Sequence, residues 1–300
     1  MQRRDNGPVQ VALLYAAVVL IWGSTWAAIP FQLGVVAEEV SVAWRFALGS
    51  LSLFAYAAVT GRGMRIPLHH YRMVVVQGVL MFSSGYLFTY YSIGYITSGL
   101  VAVIFSLIVI FNSFFEWLLF GRPLEARLVV ASIIGATGVA FMFWPEVTAF
   151  DLADDSLYGM LLALIAVLIA SLGNMAAIVN TNRHLPVMAV NAHGMAWGAL
   201  TSLVVSAILG RHISFLWQAE YVLSLLYLAV FGSAVAFGCY LALIRRIGSA
   251  RAAYSAVLFP IVALLVSTVV EDYQWTVPAI IGIGLIVAGN WLALTRMKRI

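Results

Sequence analysis

Charged residues are scarce in this sequence of 300 residues. Asp, Glu, Lys and Arg together make up 9% of the chain, and hydrophobic residues make up 63%. A soluble globular domain carries about 25% charged residues, so this composition excludes an ordinary water-soluble protein. Long apolar runs instead recur along the whole chain, each close to the ~20 residues that a membrane-spanning helix needs.

Further absences narrow the function. Cys239 is the single cysteine, so the chain cannot form an internal disulfide. Intramembrane enzymes use catalytic Asp pairs, a Ser–His pair or an HExxH motif. Neither HExxH nor GxSxG occurs here and no Asp lies within a long apolar run, so a Ser–His pair is the one catalytic arrangement that the sequence still allows. The filter-like loop or charged ring of a channel is also missing. We therefore expect a protein that is not an enzyme and that needs no cofactor or metal.

The apolar runs predict an all-α membrane protein with ten transmembrane helices. Their approximate bounds are 11–29, 42–60, 72–93, 98–119, 127–145, 157–180, 188–209, 221–243, 252–270 and 276–295. With these spans, fourteen of the sixteen Lys and Arg residues fall on one side of the membrane. Arg211 falls on the other side, and Arg45 lies within a span.

Short loops rich in Lys and Arg stay in the cytoplasm. The charge pattern therefore predicts a multi-pass protein of the cell (inner) membrane with both termini in the cytoplasm. It also accounts for the pI near 9.3, so we expect no nucleic-acid partner. The expected partners are the lipid bilayer and a small-molecule substrate, with a monomer as the working assumption.

The chain repeats weakly at an offset of about 151 residues. "GRPLEARLVVASIIGATG" ends at Gly138, and "DYQWTVPAIIGIGLIVAG" ends at Gly289. We predict a first five-helix repeat over 1–145, an acidic extracytoplasmic linker over 146–156 and a second five-helix repeat over 157–300. Because five is odd, the second repeat would be inverted in the membrane, as in many transporters. Chance similarity between apolar helices is the alternative.

Several stretches in this order resemble one known family. "IWGSTWAAI" in the first span, "WRFALGS" in the second and "LFGRPLEARLVVASIIGATGVAF" at the end of the first half resemble the EamA branch of the drug/metabolite transporter superfamily. The resemblance covers nearly the whole chain and is nearest to the bacterial amino-acid exporters. It implies export of amino acids and related small metabolites by alternating access through a central cavity between the repeats.

The resemblance also leaves alternatives, namely an exporter of cationic drugs or a carrier of nucleotide-type metabolites. Small multidrug members of the superfamily carry a central glutamate in their first helix, and the first span here has no acidic residue. The family often has a proline in both the fourth and the ninth helix. Here Pro260 lies in the ninth span and Val109 in the matching place of the fourth, so we expect the two halves to bend unequally.

Polar and aromatic residues in the middle of the spans are the candidates for substrate binding. They are Trp22, Tyr86, Tyr90, Asn112, Asn174 and Phe237. A mostly apolar pocket with a few polar groups is the usual form of a small-molecule site. Packing between helices, contact with lipid or interhelical hydrogen bonds are the alternatives for the same residues.

Two charged residues lie within the spans. Arg45 is about one turn from the outer surface. It is either an anchor whose charged head reaches water and can pair with Glu38 or Glu39, or a charge at the outer mouth that binds a substrate carboxylate. Glu116 is the only acid in a span, and it forms either an inner salt bridge with Arg122 or a proton or cation site.

Pro260 is the candidate hinge. Proline removes a backbone hydrogen bond within a helix and bends it. We therefore expect residues 261–270 to swing against residues 252–259 during transport, since alternating access needs one part to move around a fixed site.

Overall fold

The structure is a computed structural model. It describes residues 7–25, 28–96, 101, 104–144, 148, 155–270 and 275–294, and these contain helices and no strand. We number the helices α1 (Gly7–Thr25), α2 (Glu38–Thr60), α3 (Leu68–Ile93), α4 (Ile108–Phe120), α5 (Ala126–Met142), α6 (Ser156–Asn182), α7 (Val187–Ile208), α8 (Ala219–Ile247), α9 and α10 (Val277–Leu294). Helix α9 consists of Ser249–Ala253, a 3₁₀ segment Tyr254–Leu258 and Phe259–Val270.

Five of these helices are long and apolar enough to cross a membrane, namely α1, α2, α3, α6 and α8. Helices α4, α5, α9 and α10 contain shorter apolar stretches. Helix α7 has 22 residues but carries Asn191 and His193, which lower its hydropathy. Part of the predicted span 98–119 lies outside the described residues. Helices of this length and composition are those of a multi-pass membrane protein.

Most of the described arginines lie at one end of the bundle, which we call the basic end. The connection 121–125 and Gly248 lie there together with the start of α1, since all three line one cavity. The start of α3 lies beside the end of α6, where Asn180 Nδ2 donates to the Met73 oxygen at 3.1 Å. Arg246 Nη2 donates to Gln10 Oε1 at 3.3 Å, and Arg251 Nη2 donates to Glu125 Oε2 at 2.5 Å. Arg211 lies at the opposite end, in the connection between α7 and α8.

The first five helices and the last five pack against each other pairwise. Helix α5 packs on α10, α2 on α7, α4 on α9, α1 on α8 and α3 on α6. The core is therefore formed between the two sets of helices rather than within each set. A cavity at the centre of such a bundle must be lined from both sets.

Glycines allow α5 and α10 to approach closely. A Cβ on Gly138 would lie 2.7 Å from the Gly282 carbonyl oxygen, and a Cβ on Gly282 would lie 2.5 Å from the Gly138 carbonyl oxygen. Gly289 faces the Ala131 carbonyl oxygen, with 2.8 Å between that atom and an added Cβ. Close backbone contact of this kind replaces the hydrophobic effect as the source of helix association in lipid.

Four helices depart from regular α-helix near the middle of the bundle. Helix α3 contains a π-helical segment at Leu80–Ser84, and α8 contains one at Val230–Val235. Helix α9 contains the 3₁₀ segment directly before Phe259. Helix α4 begins directly after a turn at residues 106–107, at the place that matches the α9 segment at the offset of 151. The sequence predicts unequal bending of the two halves, and the structure has an interruption at this place in both. Before α4 the interruption forms without a proline, by tight i→i+3 bonding in which Leu107 N donates to the Ile104 oxygen at 3.1 Å.

Candidate functional site

A cavity of about 150 Å³ lies at the centre of the bundle. Residues of α1, α2, α3, α4, α6, α8 and α9 line it, so both sets of five helices contribute to its wall. The irregular segments of α3, α8 and α9 lie at or beside this wall. The irregular segments of these three helices are therefore grouped around the cavity.

The structure brings together four of the six predicted substrate-binding residues. Trp22, Tyr86, Asn174 and Phe237 line the cavity, as do Arg45 and Pro260. The other two lie outside its wall. Tyr90 is 2% exposed and its hydroxyl has no hydrogen-bond partner among the described residues. Asn112 is fully buried behind Asn174, to which it is hydrogen-bonded.

Aromatic rings form one side of the cavity around Trp22. The ring of Trp22 lies 4.7 Å from that of Phe237, 5.1 Å from that of Tyr240 and 5.6 Å from that of Phe259, between centroids. The indole Nε1 donates to the Gly232 carbonyl oxygen at 2.8 Å. Edge-to-face contacts of this kind fix the rings, so the aromatic side of the cavity is a rigid apolar surface.

An amide cluster adjoins the aromatic rings at Tyr240. Ser171 Oγ donates to Asn112 Oδ1 at 2.6 Å, and Asn174 Nδ2 donates to the same oxygen at 3.2 Å. Asn112 Nδ2 donates to the Ser249 carbonyl oxygen at 3.4 Å. These bonds link α4, α6 and α9, and they leave the Asn174 side chain at the cavity wall.

Arg45 lies in the interior and not in water at the rim. The residue is 2% exposed, its Nε donates to Ser233 Oγ at 3.0 Å, and its Cζ lies 4.7 Å from the centre of the Tyr86 ring. No described carboxylate forms a salt bridge with it. Glu39, which sequence proximity suggested as a partner, instead accepts a hydrogen bond from the Tyr91 hydroxyl.

The π-helical segment of α8 accounts for the position of Arg45. A π-helical segment shifts the backbone register, and Ser233 Oγ donates to the Leu228 oxygen five residues earlier at 2.9 Å. The same hydroxyl accepts the Arg45 bond. Gly232 leaves the necessary room, since a Cβ there would lie 2.9 Å from Thr25 Cγ2 and 3.3 Å from Arg45 Nη2.

Glu116 forms an ion pair with Arg122, which is one of the two roles that the sequence suggested for it. Its Oε2 accepts a hydrogen bond from Arg122 Nη1 at 2.8 Å, and its Oε1 accepts one from the Ser249 hydroxyl. It lines a second cavity, of about 1560 Å³, at the basic end. The central cavity has no acidic residue among its described lining residues.

Sequence reasoning missed several residues of the cavity. Tyr240 follows Phe237 by one helical turn and faces both asparagines of the amide cluster, so the spacing alone could have indicated it. Phe259 precedes the proline that was singled out. Ser233 and Gly232 could not be found from helical spacing, because their positions depend on the π-helical segment.

A solute-sized cavity at the centre of a multi-pass helical bundle is the form of a membrane transporter. The family model for the EamA-like transporter family matches residues 10–144 and again residues 157–295. The chain belongs to the EamA-like transporter family.

Curated relatives agree with this assignment. The uncharacterized transporter YoaV of Bacillus subtilis (strain 168) is 24% identical over 294 residues, which are 97% of this chain and 99% of YoaV. The uncharacterized inner membrane transporter YedA of Escherichia coli (strain K12) is 26% identical over 254 residues, 84% of this chain and 80% of YedA. A solved crystal structure is similar with a TM-score of 0.77 at 19% identity, and the likeness covers 95% of this chain and 96% of the other. It shows the fold alone.

Proposed function

We propose that the protein exports amino acids and related small metabolites by alternating access through the central cavity. The observation that carries this proposal is the cavity itself, which lies between the two sets of five helices and has an aromatic wall, an amide group and one arginine. Sites for drug-sized ligands measure roughly 300–1,000 Å³. The cavity of about 150 Å³ therefore favours a small metabolite over a drug or a nucleotide-type metabolite.

The direct test is transport into proteoliposomes that contain the purified protein. We expect uptake or exchange of radiolabelled amino acids, and we expect Phe237→Ala to reduce it because Phe237 forms part of the cavity wall. Phe231→Ala is the matched control, since Phe231 lies on the same helix and is 51% exposed on the outside of the bundle. Failure of the wild-type protein to move any amino acid or small metabolite would refute the proposal.

The same proposal includes two inverted five-helix repeats, over 1–145 and 157–300. Two separate matches to one family model support it. The π-helical segments of α3 and α8 also lie at matching positions at the offset of about 151. The pairing of helices supports it further, because exchanging the halves turns the α1–α8 pair into the α6–α3 pair and leaves the pairs α2–α7, α4–α9 and α5–α10 unchanged.

We also propose that all ten helices span the membrane, with the basic end and both termini in the cytoplasm. The clustering of the described arginines at one end supports this orientation. Single cysteines at positions 65, 246 and 211, in a Cys239→Ser background, would test it in intact cells with a reagent that does not cross membranes. We expect labelling at position 211 only, and labelling at 65 or 246 would overturn the orientation.

Pro260 remains our candidate for the hinge of alternating access. It lines the cavity and comes directly after the 3₁₀ segment and Phe259. Pro260→Ala adds a backbone N–H that can bond within the helix, so we expect slower transport with little change in substrate affinity. Pro278→Ala is the control, because a proline in the first turn of α10 interrupts no helical bond. Wild-type transport by folded Pro260→Ala protein would show that the proline is only a static kink.

A further inference from the structure

Arg45 brings a positive charge to the cavity wall, and no carboxylate of the described residues forms a salt bridge with it. Its Nε is bonded to Ser233 Oγ, but its Nη1 is buried without a hydrogen-bond partner among the described residues. The described residues that line the cavity include no Asp or Glu. Nη1 is therefore a buried donor that the described residues leave unmatched.

Three hydroxyl groups of the cavity do not compete for a bound anion. Thr25 Oγ1 donates to the Trp22 carbonyl oxygen at 2.7 Å, and Thr89 Oγ1 donates to the Gly85 carbonyl oxygen at 2.7 Å. Ser255 Oγ donates to the Ala252 carbonyl oxygen at 2.8 Å. With their protons held by the backbone, these groups present acceptors. Arg45 is the one charged donor among the described residues that line the cavity.

An unpaired charge in the interior of a membrane protein is costly, and such residues are retained mainly where they have a functional role. The planar guanidinium fits a carboxylate through two parallel hydrogen bonds, which are about twice as strong as bonds between neutral groups. The contact of Arg45 with Ser233 and with the Tyr86 ring holds the guanidinium in one orientation. A ligand carboxylate therefore does not have to order it on binding.

We propose that Arg45 is the anion subsite of the cavity and that the transported solutes are monocarboxylates with an apolar side group. The carboxylate bonds to the Nη1–Nη2 edge, and the side group lies against the rings of Trp22, Phe237 and Phe259. A single cation in a small apolar cavity favours a monoanion over a phosphate dianion. This inference rests on the proposed transport function and names the substrate class of the same cavity.

The test compares four compounds of one shape in proteoliposomes and in thermal unfolding of the purified protein. Leucine carries a carboxylate and an amino group, 4-methylpentanoate carries only the carboxylate, and leucinamide and isoamylamine carry no carboxylate. We expect leucine and 4-methylpentanoate to be transported and to raise the Tm, and the other two compounds to do neither. Isoamyl phosphate serves as the dianion of similar shape, and we expect it to be the weaker ligand.

Three variants assign the effect to Arg45. We expect Arg45→Gln to raise the KM for leucine at least about tenfold, the change that corresponds to about 1.4 kcal/mol, and to abolish the rise in Tm. Arg45→Lys keeps the charge but loses the two-bond geometry, so we expect an intermediate KM and a folded protein. Arg211→Gln is the control, since Arg211 is exposed in a connection at the opposite end, and we expect wild-type behaviour from it.

The results separate this inference from the proposed function. If the protein moves the amine or the amide as well as the carboxylates, transport stands and the carboxylate subsite is refuted. If the carboxylates neither move nor raise the Tm, the inference is likewise refuted. Unchanged discrimination in folded Arg45→Lys and Arg45→Gln would assign recognition to another residue and overturn the role of Arg45.

Discussion

The contact between α5 and α10 gives a sharp prediction about what holds the two sets of helices together. In Gly282→Ala the added Cβ would lie 2.5 Å from the Gly138 carbonyl oxygen and 2.7 Å from Met142 N. Both atoms belong to the backbone of a regular helix, so no side-chain rotation relieves the clash. Overpacking of a tight interface typically costs about 1–3 kcal/mol, and we expect the upper part of that range.

Gly284→Ala is the matched control on the same helix. Nothing lies within 4 Å of a Cβ at Gly284, so we expect no clash and a small stabilisation from the better helix propensity of alanine, up to about 1 kcal/mol. The measurement is the Tm of each variant in one detergent, together with the fraction that stays monodisperse. We expect Gly282→Ala to lower the Tm by several degrees and Gly284→Ala to keep or raise it.

The comparison can fail in a clear way. Equal Tm values for the two variants would mean that α5 and α10 are not in backbone contact, and the packing argument would then be wrong. Transport gives a second readout, because Gly282 is remote from the described cavity lining. We expect folded Gly282→Ala protein to keep the wild-type KM.

Other variants test the polar contacts between helices. Asn112→Leu removes the acceptor shared by α6 side chains and leaves buried donors unpaired, so we expect a loss of about 1–3 kcal/mol in unfolding free energy, measured by chemical denaturation. Glu116→Gln weakens a half-buried ion pair with Arg122 and should lower the Tm measurably. Glu125→Gln removes only an exposed ion pair with Arg251, so we expect a change below about 1 kcal/mol, and an equal effect of the two Gln variants would contradict this ranking.

Composition and apolar periodicity were sufficient for the fold class, because burial in lipid requires long apolar helices and leaves few alternatives. The glycines at Gly138 and Gly282 could also be identified from sequence as sites of close helix approach, and the structure has both at the α5–α10 contact. Gly284 lies in the same glycine-rich stretch of α10 but has open space around it. Small residues permit close packing of helices. Which small residues face the neighbouring helix depends on how each helix is rotated about its axis, and the sequence does not specify that rotation.

Part of the aromatic and amide lining of the cavity was predictable from the sequence, and the depth of its charged residue was not. Trp22 and Phe237 could be predicted because large rings in mid-span need a packed environment. Arg45 was expected near water because arginine in a membrane usually extends toward the interface. The structure instead buries it against Ser233 and Tyr86, in an arrangement that depends on the register shift within α8.

The irregular helix segments explain how so apolar a chain places polar groups at its central cavity. A regular helix in lipid satisfies its own backbone groups and offers no partner to a ligand or a side chain. In and beside the π-helical segment of α8, the carbonyl oxygens of Leu228 and Gly232 accept hydrogen bonds from the side chains of Ser233 and Trp22. Trp22 and Arg45 are thereby fixed at the cavity wall by backbone geometry rather than by further charged residues. The described lining therefore contains only one cationic side chain and no acidic one, which fits the low charge content of the whole sequence.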